Sequence, residues 1–198
     1  VVFESGPFGA TYAHALGIRP HVDRANPILA LIGSPTELTK LQSDRLESQS
    51  GVDLITVDDP ASDVSQLLSR LRASAEVGKT VIGIRTTSRD GSAPDPLHAS
   101  QMLTLIIDLA VECADSMQLD GIYASGGDVA FAVLDALGAR GYEVENEVVP
   151  LAVSGKLVGG PHDGLGFATK GGLVGDADAA VECINQLRSR IRQSEPRI

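Results

Sequence analysis

Three short glycine-containing segments have the composition of an anion-binding turn, because each follows an apolar run and precedes an amphipathic one. They are Gly33-Ser34-Pro35-Thr36, Ser125-Gly126-Gly127-Asp128 and the segment 170–175. A strand that turns through glycines into a helix presents unpaired backbone N–H groups and the positive end of the helix dipole at one place. Phosphate is the typical ligand of such a place. These segments are therefore the first candidates for a functional site.

The second segment shows the pattern most clearly. Residues 121–124 predict a buried strand, and apolar residues spaced as one helical face follow Asp128, namely Ala130, Val133, Leu134 and Leu137. Gly126 and Gly127 have no Cβ, so both can take positive φ and can let a phosphate approach the main chain. A plain strand-to-helix corner that binds nothing fits this segment equally well. Asp128 either favours the helix dipole or contacts Mg²⁺ or a ribose hydroxyl.

Polar side chains accompany the other two segments. Ser34 and Thr36 can donate hydroxyl hydrogen bonds, and either can cap the helix that follows. Gly172 can offer a backbone N–H group to an anion. Lys170 can supply the positive charge that a phosphate site needs, although a solvated surface lysine is the alternative. In a parallel sheet all these turns lie at the carboxyl edge, where ligands of α/β proteins bind.

The remaining chain alternates between apolar runs and amphipathic stretches. The predicted strands are residues 26–32, 52–57, 80–85, 121–124, 142–149, 151–158 and 165–169. The predicted helices are residues 37–48, a segment from 63, residues 97–118, a segment from 128, and residues 176 to about 192. This order indicates an α/β, Rossmann-like fold: a mostly parallel sheet with helices on both faces and additional antiparallel strands near the C-terminus. Residues 1–20 show a further strand–glycine–helix rhythm.

Composition excludes several classes of partner. The 198 residues carry a net charge of −10, and aromatic residues make up 4% with no Trp, so we expect neither nucleic-acid nor membrane-surface binding. No apolar run reaches the length of a membrane span and no leader pattern is present, so we expect a cytoplasmic protein. Cys113 and Cys183 lie in helical patterns among apolar neighbours and are predicted to be buried, reduced thiols.

No standard nucleotide or metal motif is present. The glycine spacing from Gly121 to Asp128 is that of a P-loop without its Lys and Ser/Thr. His98 is isolated in the sequence, and His162-Asp163 is predicted to be a surface turn rather than a metal pair. The polar segment 86–96 is a predicted loop at a strand end, where ligand contacts are common.

Taken together, the three turns resemble those of the four-carbon acid sugar kinase family, in its C-terminal nucleotide-binding domain. Gly33 to Thr36, followed by Thr39 and Gln42, is similar to the family's G-S-x-S-x-x-T-x-x-Q stretch. Residues 125–129 resemble its G-G-[DE]-T turn, and 170–175 its K-x-G-x-x-G turn. Val129 and Gly171 depart from the pattern, since each stands where the family has a hydroxyl residue. The resemblance covers nearly the whole chain.

The resemblance implies an ATP-dependent kinase acting on a tetronate or 3-oxo-tetronate, with Mg²⁺ bridging the phosphates. It implies ATP contacts by a set of residues at the three turns: Ser34, Thr36, Gly126, Gly127, Asp128, Val129, Lys170 and Gly172. It also implies that residues 26–198 form the nucleotide-binding domain and that residues 1–25 end an N-terminal sugar-acid domain or the crossover from it. The catalytic residues would lie in that N-terminal half.

Two questions stay open from the sequence. The main alternative is a non-catalytic nucleotide- or metabolite-binding module that kept the fold, which Val129 and Gly171 favour. A phosphosugar hydrolase or lyase has no supporting group of residues. The number of subunits is also open, with a homodimer as one option.

Overall fold

The computed structural model describes residues 26–33, 36–87 and 95–194, with side chains to residue 190. The strands are β1 (Ile28–Ile32), β2 (Val52–Val57), β3 (Val81–Thr86), β4 (Gly121–Ser125), β5 (Gly141–Val149), β6 (Ala152–Val158) and β7 (Gly166–Lys170). The helices are α1 (Glu37–Glu47), α2 (Val64–Glu76), α3 (Pro96–Ser116), α4 (Gly127–Ala136) and α5 (Ala179–Ser194). The predicted element in residues 1–20 and the candidate Ser34 lie outside the described residues.

The seven strands form one sheet in the order β2-β3-β1-β4-β7-β6-β5. The first five strands of this order, β2, β3, β1, β4 and β7, run parallel to one another. Strands β6 and β5 continue the sheet in antiparallel pairing, so the last strands form a hairpin at one edge. The predicted mostly parallel α/β sheet with antiparallel strands near the C-terminus is confirmed.

Helices cover both faces of the sheet, as predicted. Alternate residues of β1 separate the two cores, because successive strand residues point to opposite faces. Leu29 and Leu31 pack with α2, α3 and α4 on one face. Ile28, Ala30 and Ile32 pack with α1 and α5 on the other face. The connections after β1 and β7 therefore leave toward one face, and those after β3 and β4 toward the other.

This arrangement creates topological switch points at the carboxyl edge. Strand β1 lies between β3 and β4, and the chain leaves β1 toward the opposite face from both neighbours. A crevice opens where neighbouring connections diverge in this way, and ligands of open α/β sheets bind in such crevices. Strands β4 and β7 form a second divergence of the same kind.

Helix α3 corrects one expectation. It is the one described helix that is long and apolar enough to cross a membrane, with 21 residues and an 18-residue stretch of mean hydropathy 1.3, although no run of that length was expected. Length and composition alone are weak evidence for a span, since core helices of soluble proteins share them. Its buried residues, among them Leu105, Ile106 and Leu109, belong to the core on one face of the sheet.

Two smaller features of the fold concern the cysteines and the last helix. Cys113 and Cys183 are buried free thiols, as predicted. They lie on opposite faces of the sheet. Burial raises the pKa of both thiols to about 12, because the thiolate loses its hydration there. Helix α5 begins at Ala179, three residues later than predicted, because residues 171–178 extend the turn after β7.

Candidate functional site

The three glycine-containing turns lie side by side. Strand β4 pairs in parallel with β1 on one side and with β7 on the other, so all three strands end at one edge. Backbone hydrogen bonds continue the pairing into the turns: Gly33 N–H donates to Ser125 O at 3.2 Å, and Gly126 N–H donates to Lys170 O at 2.9 Å. The structure therefore brings together turn 1 (after β1), turn 2 (after β4) and turn 3 (after β7).

The N-terminus of α4 at turn 2 differs from those of α1, α2 and α3. Thr36, Asp63 and Asp95 cap those three helices, each accepting a hydrogen bond from a first-turn N–H with its side chain. Gly126 precedes α4 and has no side chain to cap it. The first N–H groups of α4 are left for another acceptor, and the dipole favours a negatively charged one.

The two glycines of turn 2 have different roles. Gly126 has φ +115°, a conformation open essentially to glycine alone, and it turns the chain from β4 into α4. Gly127 is the first residue of α4 and does not take positive φ, so only Gly126 uses the conformational freedom that both glycines have. A Cβ at Gly127 would meet no atom within 4 Å. The space beside its backbone is open to a ligand.

A cavity of about 420 Å³ lies at the crevice between β3, β1 and β4. Its polar wall includes Thr86 and Thr87 after β3, His98 and Ser100 in the first turns of α3, and Asp128 in α4. Its other lining residues are mainly apolar: Gly33, Ala99, Met102, Leu103, Ile106 and Val129. The cavity thus joins an apolar wall to polar groups and to the uncapped end of α4, which suits a ligand with an apolar body and an anionic end.

Sequence reasoning missed most of this cavity. His98, isolated in the sequence, is on its wall because α3 begins beside β1. The feature of the sequence that indicated a site here is the position of Thr86 and Thr87 at the end of a predicted strand.

Val129 and Asp128 contribute to the cavity in different ways. Val129 is buried, and a Cβ built at Gly33 would lie 2.5 Å from its Cγ2, so the residue also packs turn 1 against α4. This packing accounts for an apolar side chain at position 129. Asp128 is exposed on the cavity wall, one residue into the helix.

Lys170, at the start of turn 3, is buried rather than solvated, which excludes the surface-lysine alternative. It is 2% exposed, and its Nζ donates to Gly171 O at 3.1 Å. Burial lowers the pKa of the ammonium group, since the charged form is poorly hydrated there. The positive charge therefore lies beneath the turn, next to the carbonyl of Gly171.

Side chains of α1 hold turn 3 from below. The carbonyl of Gly172 accepts hydrogen bonds from the hydroxyls of Thr36 at 2.9 Å and Thr39 at 3.0 Å. Thr36 is also the N-cap of α1, as predicted. Thr36 therefore ends turn 1 and also donates to Gly172 O in turn 3, so it connects the two turns.

Gln42 extends this support by one further helical turn. Its Nε2 donates to Val174 O at 3.0 Å and to Asp176 O at 2.6 Å, and the side chain is 1% exposed. In the sequence, Thr39 and Gln42 were notable only as part of a family motif. Their regular spacing of three along one helix from Thr36 was the signal for a shared face, but nothing in the sequence identified the partner.

The described residues contain no group of three or more His, Cys, Asp or Glu able to hold a metal ion. His162 lies in the turn between β6 and β7 and contacts Asp115 at 3.1 Å, far from the carboxyl edge. The predicted surface turn is confirmed.

Comparison with known proteins supports the nucleotide interpretation. A family profile described as a nucleotide-binding C-terminal domain matches residues 29–180. A D-erythronate kinase of Heliobacterium modesticaldum is 35% identical over 96% of this chain and 48% of its own length. A D-threonate kinase of Salmonella typhimurium is 27% identical over 75% of the chain and 40% of its length. The chain thus spans about half the length of these relatives.

Solved structures agree in fold. A domain of unknown function from Bordetella bronchiseptica, a domain-swapped dimer with bound citrate, has a TM-score of 0.71 at 26% identity, covering 83% of this chain and 41% of that one. A Haemophilus influenzae protein has a TM-score of 0.67 at 18% identity, covering 89% and 45%. The resemblance to the C-terminal domain of the four-carbon acid sugar kinases is confirmed.

Proposed function

We propose that this chain, which belongs to the nucleotide-binding C-terminal domain family, binds ATP at the carboxyl edge of its sheet. The observation that carries the proposal is the uncapped N-terminus of α4, which opens at the wall of the 420 Å³ cavity. Free N–H groups and a helix dipole attract phosphate, and the adjoining apolar wall suits a base. A net charge of −10 supplies no general attraction for a nucleotide, so such local groups must do so.

In this proposal the nucleotide lies across the strand ends. Its base and ribose occupy the cavity above β3 and β1, among Met102, Leu103 and His98. Its phosphates pass over Gly126 and Gly127 toward Gly172. From β3 to β7 the sheet spans three strand spacings, about 14 Å, so one extended nucleoside triphosphate can contact both ends. Ser34, Thr36, Asp128, Val129 and Lys170 complete the proposed set.

Mg²⁺ fits this site as a companion of the phosphates. It retains several waters in proteins and commonly binds through one or two carboxylates together with substrate phosphates. Asp128, exposed on the cavity wall, is the carboxylate that would hold it. Bound in this way, Mg²⁺ would neutralise charge on the phosphates.

We further propose that the whole protein transfers the γ-phosphoryl group of ATP to a hydroxyl of a four-carbon sugar acid, since the relatives are named D-erythronate and D-threonate kinases. Phosphoryl transfer depends mainly on positioning and charge stabilisation, which glycine turns, a lysine and a metal ion can supply. The sugar-acid site and the catalytic base would lie in an N-terminal domain of the longer protein. A cytoplasmic location and a homodimer remain predictions.

A second candidate is a non-catalytic module that binds a nucleotide or another metabolite. Val129 is the observation that favours it, since a buried valine leaves the first turn of α4 without the hydroxyl expected there. Backbone N–H groups bind phosphate without that hydroxyl, so the two candidates differ in catalysis more than in binding.

The test is calorimetric titration of the 198-residue chain with a non-hydrolysable ATP analogue, with and without Mg²⁺, and with adenosine for comparison. We expect saturable binding of the analogue that strengthens with Mg²⁺ and exceeds that of adenosine. A folded chain that gives no heat with millimolar analogue would overturn the proposal. Assays of the longer protein with D-erythronate and D-threonate would then separate a kinase from a binding module.

A further inference from the structure

Four carbonyl groups of turn 3 face the interior of the protein, and each accepts a hydrogen bond from a side chain. The pairs are Lys170 Nζ to Gly171 O, the hydroxyls of Thr36 and Thr39 to Gly172 O, and Gln42 Nε2 to both Val174 O and Asp176 O. Two of these carbonyls also accept a backbone hydrogen bond, Gly171 O from Val174 N–H at 3.2 Å and Asp176 O from Ala179 N–H at 3.4 Å. Among the described residues, the other two have side-chain donors alone, so the conformation of turn 3 depends on side chains of α1 and of its N-cap.

The direction of the carbonyls determines the direction of the amides. A trans peptide unit is planar, with the N–H of each residue opposite to the carbonyl of the residue before it. Carbonyls that face inward, toward α1 or Lys170, therefore turn the N–H groups of Gly172, Leu173, Gly175 and Ala177 toward the exposed side of the turn, where Leu173 is 78% exposed. Among the described residues, these four N–H groups have no hydrogen-bond acceptor. Successive outward amides form a concavity that binds anions.

We propose that Thr39, Gln42 and Lys170 are positioning residues for the phosphate end of the nucleotide. They hold the carbonyls of turn 3 inward, so that its amides face the outermost phosphates of a ligand whose first phosphate lies at α4. The proposal rests on the proposed ATP function and assigns these three side chains a role that needs no contact with the nucleotide.

The energetics of Lys170 and Gln42 agree with a role in binding. Lys170 keeps a poorly hydrated ammonium group beneath the turn, where its Nζ donates to the neighbouring carbonyl. Gln42 uses both amide hydrogens on the turn, while its Oε1 is buried without a hydrogen-bond partner among the described residues. Apolar side chains of similar size would avoid both desolvation costs. Stability alone therefore does not account for these residue types.

The test compares three near-isosteric variants, Thr39→Val, Gln42→Met and Lys170→Met, in the 198-residue chain. The control is Ser43→Ala, because Ser43 is equally buried in α1 but its hydroxyl donates to Lys40 O within the helix. Each protein is titrated with adenosine, AMP and the Mg²⁺ complex of the ATP analogue. The readout is the ratio of analogue affinity to AMP affinity, which a general loss of stability does not change.

We expect each of the three variants to lower that ratio about tenfold, while AMP and adenosine bind as in the wild type. We expect Ser43→Ala to leave the ratio unchanged. For Lys170→Met we also expect equal or higher thermal stability at pH 7, since a buried cation is removed.

Folded variants that keep the wild-type ratio, or that lose adenosine and the analogue equally, would overturn the positioning role. A wild-type chain that binds none of the three ligands would instead refute the proposed function. The two failures are therefore distinguishable.

Discussion

Turn 2 and turn 3 lie beside each other at the carboxyl edge and offer backbone N–H groups by different means. At turn 2 the donors are the first residues of a regular helix, and Gly126 leaves them uncapped. At turn 3 the chain is irregular for eight residues, and the side chains of α1 and Lys170 impose its shape. The first arrangement is local in sequence, whereas the second depends on residues more than 130 positions away.

This difference predicts different responses to mutation. A helix N-terminus keeps its donors whatever surrounds it, so only blocking the space beside it should abolish binding. An irregular turn loses its donors when any anchor is removed, so many substitutions should weaken it moderately. Substitutions at the two turns, and at the helix that supports turn 3, should therefore differ in size of effect.

Gly127→Val is expected to reduce affinity for the ATP analogue by about 100-fold, equivalent to about 2.7 kcal/mol, because the side chain would fill the open space at the N-terminus of α4. The fold should tolerate it, since Gly127 takes no positive φ. Calorimetry gives the affinity and circular dichroism the fold. Gly141→Val, a glycine at the start of β5 whose Cβ would make an ordinary contact, is the control. Unchanged affinity in Gly127→Val would remove turn 2 from the site.

Gly175→Ala is expected to lower the free energy of unfolding by about 2 kcal/mol and analogue affinity about tenfold. Gly175 has φ +78°, and its added Cβ would lie 2.4 Å from the Cβ of Ala179, so turn 3 must shift. Gly164→Ala is the matched control, with φ +83° and no atom within 4 Å. It should lose stability through backbone strain without losing affinity. Equal loss of affinity in both would contradict a specific role for turn 3.

Thr36→Ala is expected to lower the free energy of unfolding by about 1 kcal/mol through loss of the α1 cap. It should also lower analogue affinity about threefold, since Gly172 O keeps Thr39 as a donor. Asp63→Ala removes a comparable cap from α2, which does not touch turn 3. Denaturant unfolding should show similar losses in both, with weaker nucleotide binding in Thr36→Ala alone. A loss of affinity in Asp63→Ala would point to a general effect of helix stability.

The smallest effect is expected in thiol labelling. Both thiols stay protonated at pH 8, because burial raises the pKa of Cys113 and of Cys183 to about 12. Labelling therefore requires local opening, and its rate reports that opening. Gln42→Met should raise the rate for Cys183, which lies on the face of α1 and α5, about threefold relative to Cys113 on the other face. Equal acceleration of both would indicate global destabilisation instead.

Most of the fold was predictable from hydrophobic periodicity. All seven predicted strands and five predicted helices within the described residues are present, because alternating apolar runs and helical stripes report burial directly. Parallel pairing followed from the helical connections, which also required the three turns to share one edge. The start of the last helix was wrong, because α5 begins at Ala179 after a long turn 3 that the apolar pattern does not reveal.

The candidate site was predictable only in part. The glycines of the three turns stood out in the sequence, and so did a lysine next to the third. The cavity did not stand out in the sequence, because His98 and Asp128 line it together only when α3 packs over β1. The burial of Lys170 was equally hidden, since a lysine at a strand end is usually solvated.

The order of the elements, the shared edge of the turns and the glycines that leave α4 uncapped all follow from the amino-acid sequence. These features depend on residue type and near neighbours, which a linear pattern contains. The hydrogen bonds from Thr36, Thr39 and Gln42 to the carbonyls of turn 3 became visible only in the folded chain. The same holds for the position of Lys170 beneath the turn. Those contacts join α1 to residues 132 to 136 positions later, and hydrogen-bond direction across such a separation is set by packing.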